Sequence, residues 1–253
     1  MRSKVSKRVS WVGGLRNMKR VKRENILVIA DTHIPFEHRN YLGFCRETYN
    51  KHHCNRVVHS GDLVDNCAIN YYEKDPDGKG PEEEMSEADK HLVEWFKAFP
   101  KLLLCIGNHD MLVDRKAKSA GLPKRTFKKY RDIWDLPRSW REAWSWELDD
   151  VLFKHGTNFS GKNCHIAAAY DSRQSTVIGH VHSVAGVSWS ANDKDCIFGM
   201  AVGCGIDRKK YAFNYGLDSK AKPILGCGIV SNNGSNAQFI PMDLGKKVIY
   251  MDF

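Results

Sequence analysis

The sequence has 253 residues, 42% hydrophobic and 11% aromatic, which is enough to bury one sizeable core and excludes a disordered or fibrous chain. No apolar run approaches the roughly 20 residues that a membrane-spanning helix requires, so we expect no membrane partner. The formal net charge is +9, which is typical of proteins with a polyanionic partner.

The excess positive charge lies at the N-terminus. Nine of the 39 basic residues and none of the 30 acidic residues fall within residues 1–23, so the rest of the chain is electrically balanced. Such a segment can bind nucleic acid through phosphate contacts, or it can be a solvated, poorly ordered terminus. We expect residues 1–24 to form a flexible basic arm and residues 25–253 to form a single domain.

The cysteines point to a reducing compartment. Eight are present, without a Cys-x-x-Cys pair, and the arm lacks the apolar core of a secretory signal. Disulfide frameworks are typical of secreted chains, so we expect a cytoplasmic protein. Several cysteines lie in apolar runs, as Cys105 does, and are predicted to pack as small core residues.

In the first half of the chain, short apolar runs alternate with amphipathic stretches. The runs predict buried strands over 26–30, 56–59 and 101–106. Apolar positions at helical spacing predict helices over 38–52 and 82–99. This alternation is typical of a layered α/β core with parallel strand pairing.

The second half of the chain is richer in strands and turns. Four tryptophans within residues 134–146 are interpreted as packing residues, and Asp149-Asp150 is typical of a hairpin turn. A short helix is predicted over 162–170. The predicted strands cover 151–154, 175–178, 184–190, 195–203, 224–231, 236–241 and 247–251. Two packed sheets with helices outside are therefore expected.

Polar side chains with metal-binding chemistry follow five of the predicted strands. In open α/β sheets, ligands bind outside the carboxyl ends of the strands, so these side chains are expected to share one site. The candidate ligands are three oxygen donors and four imidazoles: Asp31, Asp62, Asn108, His33, His155, His180 and His182.

This set of ligands predicts two metal ions rather than one. Oxygen and imidazole donors suit Mn²⁺, Fe or Zn²⁺, and no cysteine is placed to make a thiolate site. Seven ligands exceed what one ion usually takes from a protein. Two ions about 3.5–4 Å apart, sharing one carboxylate, match the geometry of two-metal hydrolases. Glycines at positions 61, 107, 156 and 179 are predicted to let the backbone turn sharply beside the ligands.

Five short motifs together resemble the calcineurin-like metallophosphoesterase superfamily. In chain order they are Asp31-x-His33, Gly61-Asp62-x-x-Asp65, Gly107-Asn108-His109-Asp110, His155-Gly156 and Gly179-His180-x-His182. The resemblance implies an α/β fold, namely a four-layer α/β/β/α sandwich of two mixed sheets. The segments Tyr71–Gly80 and Met200–Asp207 resemble members found in bacteriophage genomes.

The resemblance also implies a role for each site residue. Asp31, His33 and His182 would bind the first divalent ion, and Asn108, His155 and His180 the second. Asp62 would bridge the two ions. His109 would protonate the leaving group, oriented by Asp65. Mn²⁺ is the preferred ion, with Fe, Zn²⁺ or Ni²⁺ as alternatives.

One position departs from the pattern of the superfamily's protein phosphatases. In those enzymes an arginine follows the second aspartate of the Gly-Asp-x-x-Asp motif and binds the phosphate, whereas this chain has Asn66 at that position. A dianionic monoester would lose a charge-assisted bidentate contact there, and the amide of Asn66 offers a single hydrogen bond to phosphate as the alternative. The departure favours a phosphodiester substrate.

The leading hypothesis is therefore hydrolysis of phosphodiesters, in nucleic acid or nucleotides, by a hydroxide that bridges two metals. The first alternative is a phosphomonoesterase acting on nucleotides or phosphoproteins, and the second is a non-catalytic binding scaffold. Nucleic acid is a candidate partner of residues 1–23. A basic stretch over 115–129 is either a polyanion-binding rim or a solvated face.

Overall fold

The computed structural model describes residues 24–72, 76–211 and 221–243. Residues 1–23 and the strand predicted over 247–251 lie outside this part. The helices are α1 (Tyr41–Lys51), α2 (Pro81–Ala98), α3 (Leu112–Ser119), α4 (Tyr130–Ile133), α5 (Cys164–Ser172) and α6 (Arg208–Tyr211). The strands are β1 (Ile26–Ile29), β2 (Arg56–His59), β3 (Leu102–Cys105), β4 (Trp140–Ala143), β5 (Ser145–Leu148), β6 (Val151–Lys154), β7 (Ser175–Ile178), β8 (Ala185–Ala191), β9 (Cys196–Val202), β10 (Gly226–Ser231) and β11 (Asn236–Pro241).

The first sheet is mixed and has six strands in the order β11-β10-β1-β2-β3-β4. β1 to β4 pair in parallel, and β10 and β11 add antiparallel strands beside β1. All four residues of β1 are buried, as expected for a strand covered on both faces. The parallel pairing predicted for the first half of the chain is confirmed.

The second sheet is also mixed, with five strands in the order β5-β6-β7-β9-β8. β6, β7 and β9 are parallel, whereas β5 and β8 are antiparallel to their neighbours. The hairpin predicted at Asp149-Asp150 joins β5 to β6, and both aspartates have positive φ (51° and 60°). Two left-handed residues are what a tight type I′ turn requires.

The two sheets pack face to face with helices on the outside. A Cβ placed on Gly228 of β10 would lie 2.8 Å from side-chain atoms of Met200 and Val202 on β9, so the sheets are in close contact. α2 covers the first sheet, with Phe96 edge-on to Trp140 of β4 at a ring-centroid distance of 5.0 Å. α5 packs against β7, β8 and β9. The predicted four-layer α/β/β/α sandwich is confirmed.

The tryptophan-rich region differs from its interpretation as packing residues alone. It forms β4 and β5, and the chain passes between them from one sheet to the other. Trp134 and Trp140 are buried, whereas Trp144, between the two strands, is 67% exposed. Edge strands with alternating polar residues lack the continuous apolar run that marks a buried strand.

All eight cysteines are free thiols, and six of them are buried. Among the described residues, no helix is both long and apolar enough to cross a bilayer.

Candidate metal centre

The seven predicted ligands meet where the parallel strands of the two sheets end. Those that follow β1, β2 and β3 come from the first sheet, and those that follow β6 and β7 come from the second. Their donor atoms form two compact groups in which each atom lies within 4.8 Å of the others. These groups are Asp31, His33 and His182, and Asp62, His155 and His180. The donor atoms of His33, Asp62 and His109 form a third such group, which includes the candidate acid. Asn108 contacts the second group through His155.

In the first group, two imidazole nitrogens face each other beside a carboxylate. His33 Nε2 lies 3.2 Å from His182 Nε2, which is 3.4 Å from Asp31 Oδ2. The Asp31 carboxylate also accepts hydrogen bonds from the Ser60 hydroxyl and the His180 backbone N–H. Burial would raise the pKa of Asp31, but the nearby His155 and His182 outweigh burial and lower it to about 2. This carboxylate is therefore held ionised.

The second group has a set of donor atoms that fits a cation. His155 Nδ1 lies 3.1 Å from the Ser60 carbonyl, so we assign the ring proton to Nδ1. In the neutral ring, His155 Nε2 presents a lone pair to two oxygens, Asn108 Oδ1 at 3.0 Å and Asp62 Oδ2 at 3.1 Å. Burial would lower the pKa of His155, but Asp62 and Asp31 outweigh burial and raise it to about 9, so a proton would occupy Nε2 when no metal is bound. Three electron-pair donors can converge in this way only around a proton or a metal ion. A backbone carbonyl that orients the distal nitrogen is typical of metal-binding histidines.

Asp62 connects the two groups. Its Oδ2 atom lies 3.1 Å from His155 Nε2 and 3.6 Å from His33 Nε2, while Oδ1 accepts the His109 backbone N–H. Burial would raise the pKa of Asp62, but His155 and His109 outweigh burial and lower it well below its usual value. One ionised oxygen therefore faces ligands of both groups.

Three residues of the site adopt left-handed backbone conformations. The φ angles are 50° at His33, 49° at Asp62 and 67° at His180. Left-handed backbone is uncommon for residues other than glycine and persists only where the surrounding structure imposes it. Backbone strain of this kind is concentrated at functional sites.

The neighbouring glycines have two different roles. Gly61 and Gly156 have positive φ angles of 108° and 95°, in accordance with the predicted sharp turns. At Gly107 and Gly179 the requirement is space, because a Cβ would overlap Oδ1 of Asp62 and Oδ1 of Asp31, respectively.

Asp65 contacts two histidines. Its Oδ1 atom lies 2.8 Å from His109 Nδ1, the contact expected from the sequence, and 2.9 Å from His33 Nδ1, which was not foreseen. Burial would lower the pKa of His109, but Asp62 and Asp65 outweigh burial and raise it to about 10. One carboxylate thus holds both a candidate ligand and the candidate acid.

Asp110 ends the motif Gly107-Asn108-His109-Asp110, and the sequence indicates no role for it. Its buried carboxylate accepts backbone N–H groups of Asp62, Leu63 and Gly107, and also the Tyr130 hydroxyl at 2.7 Å. Burial and Asp62 raise the pKa of Asp110 to about 6. Asp110 therefore joins the loops after β2 and β3 and holds the backbone of Asp62.

His59 lies beside the centre as a supporting residue. The Gly61 N–H donates to His59 Nδ1, so we place the ring proton on Nε2, 3.1 Å from Thr32 Oγ1. The Thr32 hydroxyl donates in turn to the Leu63 carbonyl. Burial lowers the pKa of His59 to about 4, against the opposing effect of Asp31 and Asp62, and so keeps the ring neutral.

Asn66, suggested from the sequence as a hydrogen-bond donor to phosphate, has its side chain directed to the backbone of His109 in this structure. Its backbone is left-handed (φ 56°), its side chain is buried, and Nδ2 donates to the His109 carbonyl at 3.1 Å. Asn66 thus fixes the backbone of the candidate acid.

The solved structures that match this chain have low sequence identity to it. An archaeal phosphodiesterase is 16% identical (TM-score 0.44), and the match covers 86% of this chain and 99% of that one. Vacuolar protein sorting 29 from Cryptosporidium parvum is 11% identical (TM-score 0.47; 88% and 94% covered). A single mutant of Vps29 from Entamoeba histolytica is 10% identical (TM-score 0.38; 87% and 99% covered).

No curated protein matches the sequence. The calcineurin-like phosphoesterase family model matches residues 24–203, which include all seven candidate ligands, Asp65 and His109. Because that match covers most of the chain and contains the whole candidate metal centre, this protein belongs to the calcineurin-like phosphoesterase family.

Proposed function

We propose that the protein is a phosphodiesterase that uses two divalent metal ions. The observation that carries this proposal is the position of Asp62 Oδ2, which faces imidazole nitrogens of both ligand groups. One carboxylate shared between two sets of ligands is the arrangement of two-metal phosphoester hydrolases.

The residues divide into two sets of ligands with one member in common. Asp31, His33 and His182 would hold one ion, Asn108, His155 and His180 the other, and Asp62 both. Two bound cations supply a water of lowered pKa and neutralise charge on the phosphoryl oxygens. The mixed oxygen and nitrogen donors suit Mn²⁺, Fe, Zn²⁺ or Ni²⁺, and we propose Mn²⁺ as the first ion to test.

His109 would provide the proton that the departing oxygen needs. Its Nδ1 atom is held by Asp65, through the carboxylate and the backbone carbonyl, so we assign the transferred proton to Nε2. The nearby Asp62 and Asp65 favour the imidazolium form. General acid catalysis by a positioned histidine typically contributes about 10²–10⁴-fold to the rate.

Asn66 supports a diester substrate over a monoester. A monoester carries two negative charges at neutral pH, and a bidentate arginine is the strongest side-chain partner for such a group. At this position the side chain is a buried amide directed to the His109 carbonyl. A diester carries one charge and needs less compensation beyond the metal ions.

The test is hydrolysis of bis(p-nitrophenyl) phosphate against p-nitrophenyl phosphate, with Mn²⁺ and with a chelator. We expect the diester to be hydrolysed with the higher kcat/KM and the chelator to abolish turnover of both. Preference for the monoester would replace this proposal with a phosphomonoesterase. Absence of both turnover and bound metal would favour a binding scaffold.

A further inference from the structure

A strongly basic surface begins next to His109. Residues 115–129, which we call the basic rim, contain seven cationic and no acidic side chains: Arg115, Lys116, Lys118, Lys124, Arg125, Lys128 and Lys129. Within the described parts of the chain, no ion pair joins any of these seven to an acidic residue. All seven are exposed except Lys116, which is partly buried. Outside residues 1–23, acidic and basic residues balance, so this local excess is a distinct feature of the domain.

The chain connects the basic rim directly to the metal centre. The Leu112 N–H, at the start of α3, donates to the carbonyl of His109. Helical rise is about 1.5 Å per residue, so Lys116 lies about 6 Å along the axis from Leu112. Because α3 begins directly after His109, a strand that continues from the metal centre on this side would pass along α3.

An aromatic side chain from the opposite loop packs against the same helix. Tyr71 follows the Asp65–Asn66 loop, and its ring centroid lies 3.8 Å from Lys116 Nζ and 5.1 Å from the Arg115 guanidinium carbon. Its hydroxyl lies 3.5 Å from Ser119 Oγ. These contacts orient two cations of the rim and join the two loops that carry Asp65 and His109.

Tyr71 and its neighbour also present aromatic surface to solvent. Tyr71 is 51% exposed and Tyr72 is 70% exposed, although large hydrophobic side chains are mostly buried in this domain. Exposed aromatic rings beside cations that have no acidic partner are the features with which proteins bind single-stranded nucleic acid, because bases stack on the rings and phosphates contact the cations. In a duplex the bases are stacked on each other and therefore cannot stack on the tyrosine rings.

We propose that the basic rim, with Tyr71 and Tyr72, binds single-stranded nucleic acid next to the bond to be cleaved. This inference rests on the proposed phosphodiesterase function and names its substrate class. The phosphates of the strand that contact the basic rim would lie on the same side as His109, which is the proposed proton donor to the leaving-group oxygen. DNA and RNA share the recognised chemistry, and both are included in the test.

The first experiment measures binding of labelled 12-nucleotide DNA and RNA single strands by fluorescence anisotropy, with chelator present to prevent hydrolysis. The variant Arg115→Gln/Lys116→Gln/Lys118→Gln is expected to bind at least tenfold more weakly at 50 mM salt. Each lost phosphate contact reduces the salt dependence of log K by about 0.7 for a single strand, so the slope should fall by about 2. All proteins keep residues 1–23, so any contribution of that arm is common to them.

A charge-matched control is available at the opposite ends of the parallel strands, away from the metal centre. Lys51 ends α1, Lys97 lies in the last turn of α2, and Lys101 precedes β3, which places them at the amino ends of the parallel strands. Lys51→Gln/Lys97→Gln/Lys101→Gln is expected to bind within twofold of the wild type. If the rim variant also binds within twofold, the proposal is wrong.

The tyrosines are tested separately from the charges. Tyr71→Ala/Tyr72→Ala should weaken binding about tenfold or more, as loss of base stacking does, with little change in the salt slope. Tyr71→Phe/Tyr72→Phe should restore the affinity. Equal binding of a 12-base-pair duplex, or tighter binding to vesicles with anionic lipid, would overturn recognition of a single strand.

Turnover of bis(p-nitrophenyl) phosphate by the wild type distinguishes the two proposals. If this small diester is hydrolysed but the rim variant binds oligonucleotides normally, only the proposed strand recognition is wrong. If strand binding depends on the rim but the small diester is not hydrolysed, the phosphodiesterase function is wrong and the rim remains a binding surface.

Discussion

Asp62 combines burial, a left-handed backbone and two imidazole neighbours in one residue. Asparagine has nearly the same shape and also tolerates the left-handed region, so replacing Asp62 by Asn removes one charge with little change in backbone preference. The Asp110 bond to the Asp62 backbone N–H does not involve the Asp62 side chain and is retained. The substitution therefore isolates the shared carboxylate.

We predict that Asp62→Asn lowers the affinity for both ions by at least about 100-fold, since loss of a single supporting contact alone typically costs 10–100-fold. Metal content is measured by elemental analysis after dialysis. Asp150→Asn is the matched control, because Asp150 has the same left-handed backbone (φ 60°) in the exposed β5–β6 turn. Two retained ions in Asp62→Asn would rule out the bridging role.

His109 can be tested through the leaving group. His109→Ala should retain both ions and lower kcat by about 10²–10⁴-fold on diesters with alkyl leaving groups, which need a proton. Nitrophenolate leaves without protonation, so turnover of bis(p-nitrophenyl) phosphate should fall much less. His91→Ala, which breaks the pair between α2 and Glu37, is the control. Loss of metal from His109→Ala would make His109 a ligand instead.

At the scale of elements, α4 stabilises the centre through one hydroxyl. Tyr130, the first residue of α4, donates to the same Asp110 oxygen that accepts the Leu63 N–H. The loops after β2 and β3 are thus held by a helix that contributes no metal ligand. The effect of this contact can be separated from that of the ligands, because phenylalanine keeps the ring and removes only the hydroxyl.

Tyr130→Phe is predicted to lower the free energy of unfolding by about 1.5–3 kcal/mol, the usual contribution of a hydrogen bond to a charged group. Metal affinity should fall as well, because the backbone at Asp62 loses part of its support. Urea denaturation and metal titration measure the two effects. Tyr170→Phe on the exposed surface of α5 should change neither. A stability equal to the wild type would mean that the Asp110 network does not need the hydroxyl.

The sequence predicted those elements whose apolar pattern is continuous. β1 and β2 are apolar runs buried by their neighbours, and so they were found. β4 and β5 were missed because they alternate apolar and polar residues at a sheet edge. α3 was missed because most of its side chains are charged or small, and only Leu112 and Ala117 are buried.

The candidate ligands were predictable for a different reason. Each follows a strand, and parallel strands bring their carboxyl ends to one edge, so position in sequence implies proximity in space. The contact of Asp65 with His33 and the bonds of Asp110 join separate loops whose approach depends on tertiary packing. No local pattern contains that information.

At the scale of the whole molecule, the candidate metal centre lies between the two sheets and takes residues from both. Asp31, His33, Asp62 and Asn108 follow strands of the first sheet, and His155, His180 and His182 follow strands of the second. The buried carboxylates of Asp31 and Asp62 repel each other, and Asp62 makes ionisation of Asp31 less favourable, although the nearby histidines outweigh this effect. Bound cations would replace that repulsion with attraction shared across both sheets.

Metal binding should therefore stabilise the entire domain. At a free metal concentration 100 times Kd, one site adds about 2.7 kcal/mol to the free energy of unfolding, and 1 kcal/mol shifts Tm by about 2–4 °C for a domain of this size. We predict that Mn²⁺ raises Tm by roughly 5–10 °C per site on this basis, and that a chelator reverses the shift. Differential scanning calorimetry across a metal titration measures it.

Asp62→Asn should show a much smaller shift than Asp150→Asn, because only the former lacks the shared ligand. If the wild type melts at the same temperature with Mn²⁺ and with chelator, the buried carboxylates and imidazoles are not a metal centre, and their charges must be balanced by protons held among the histidines.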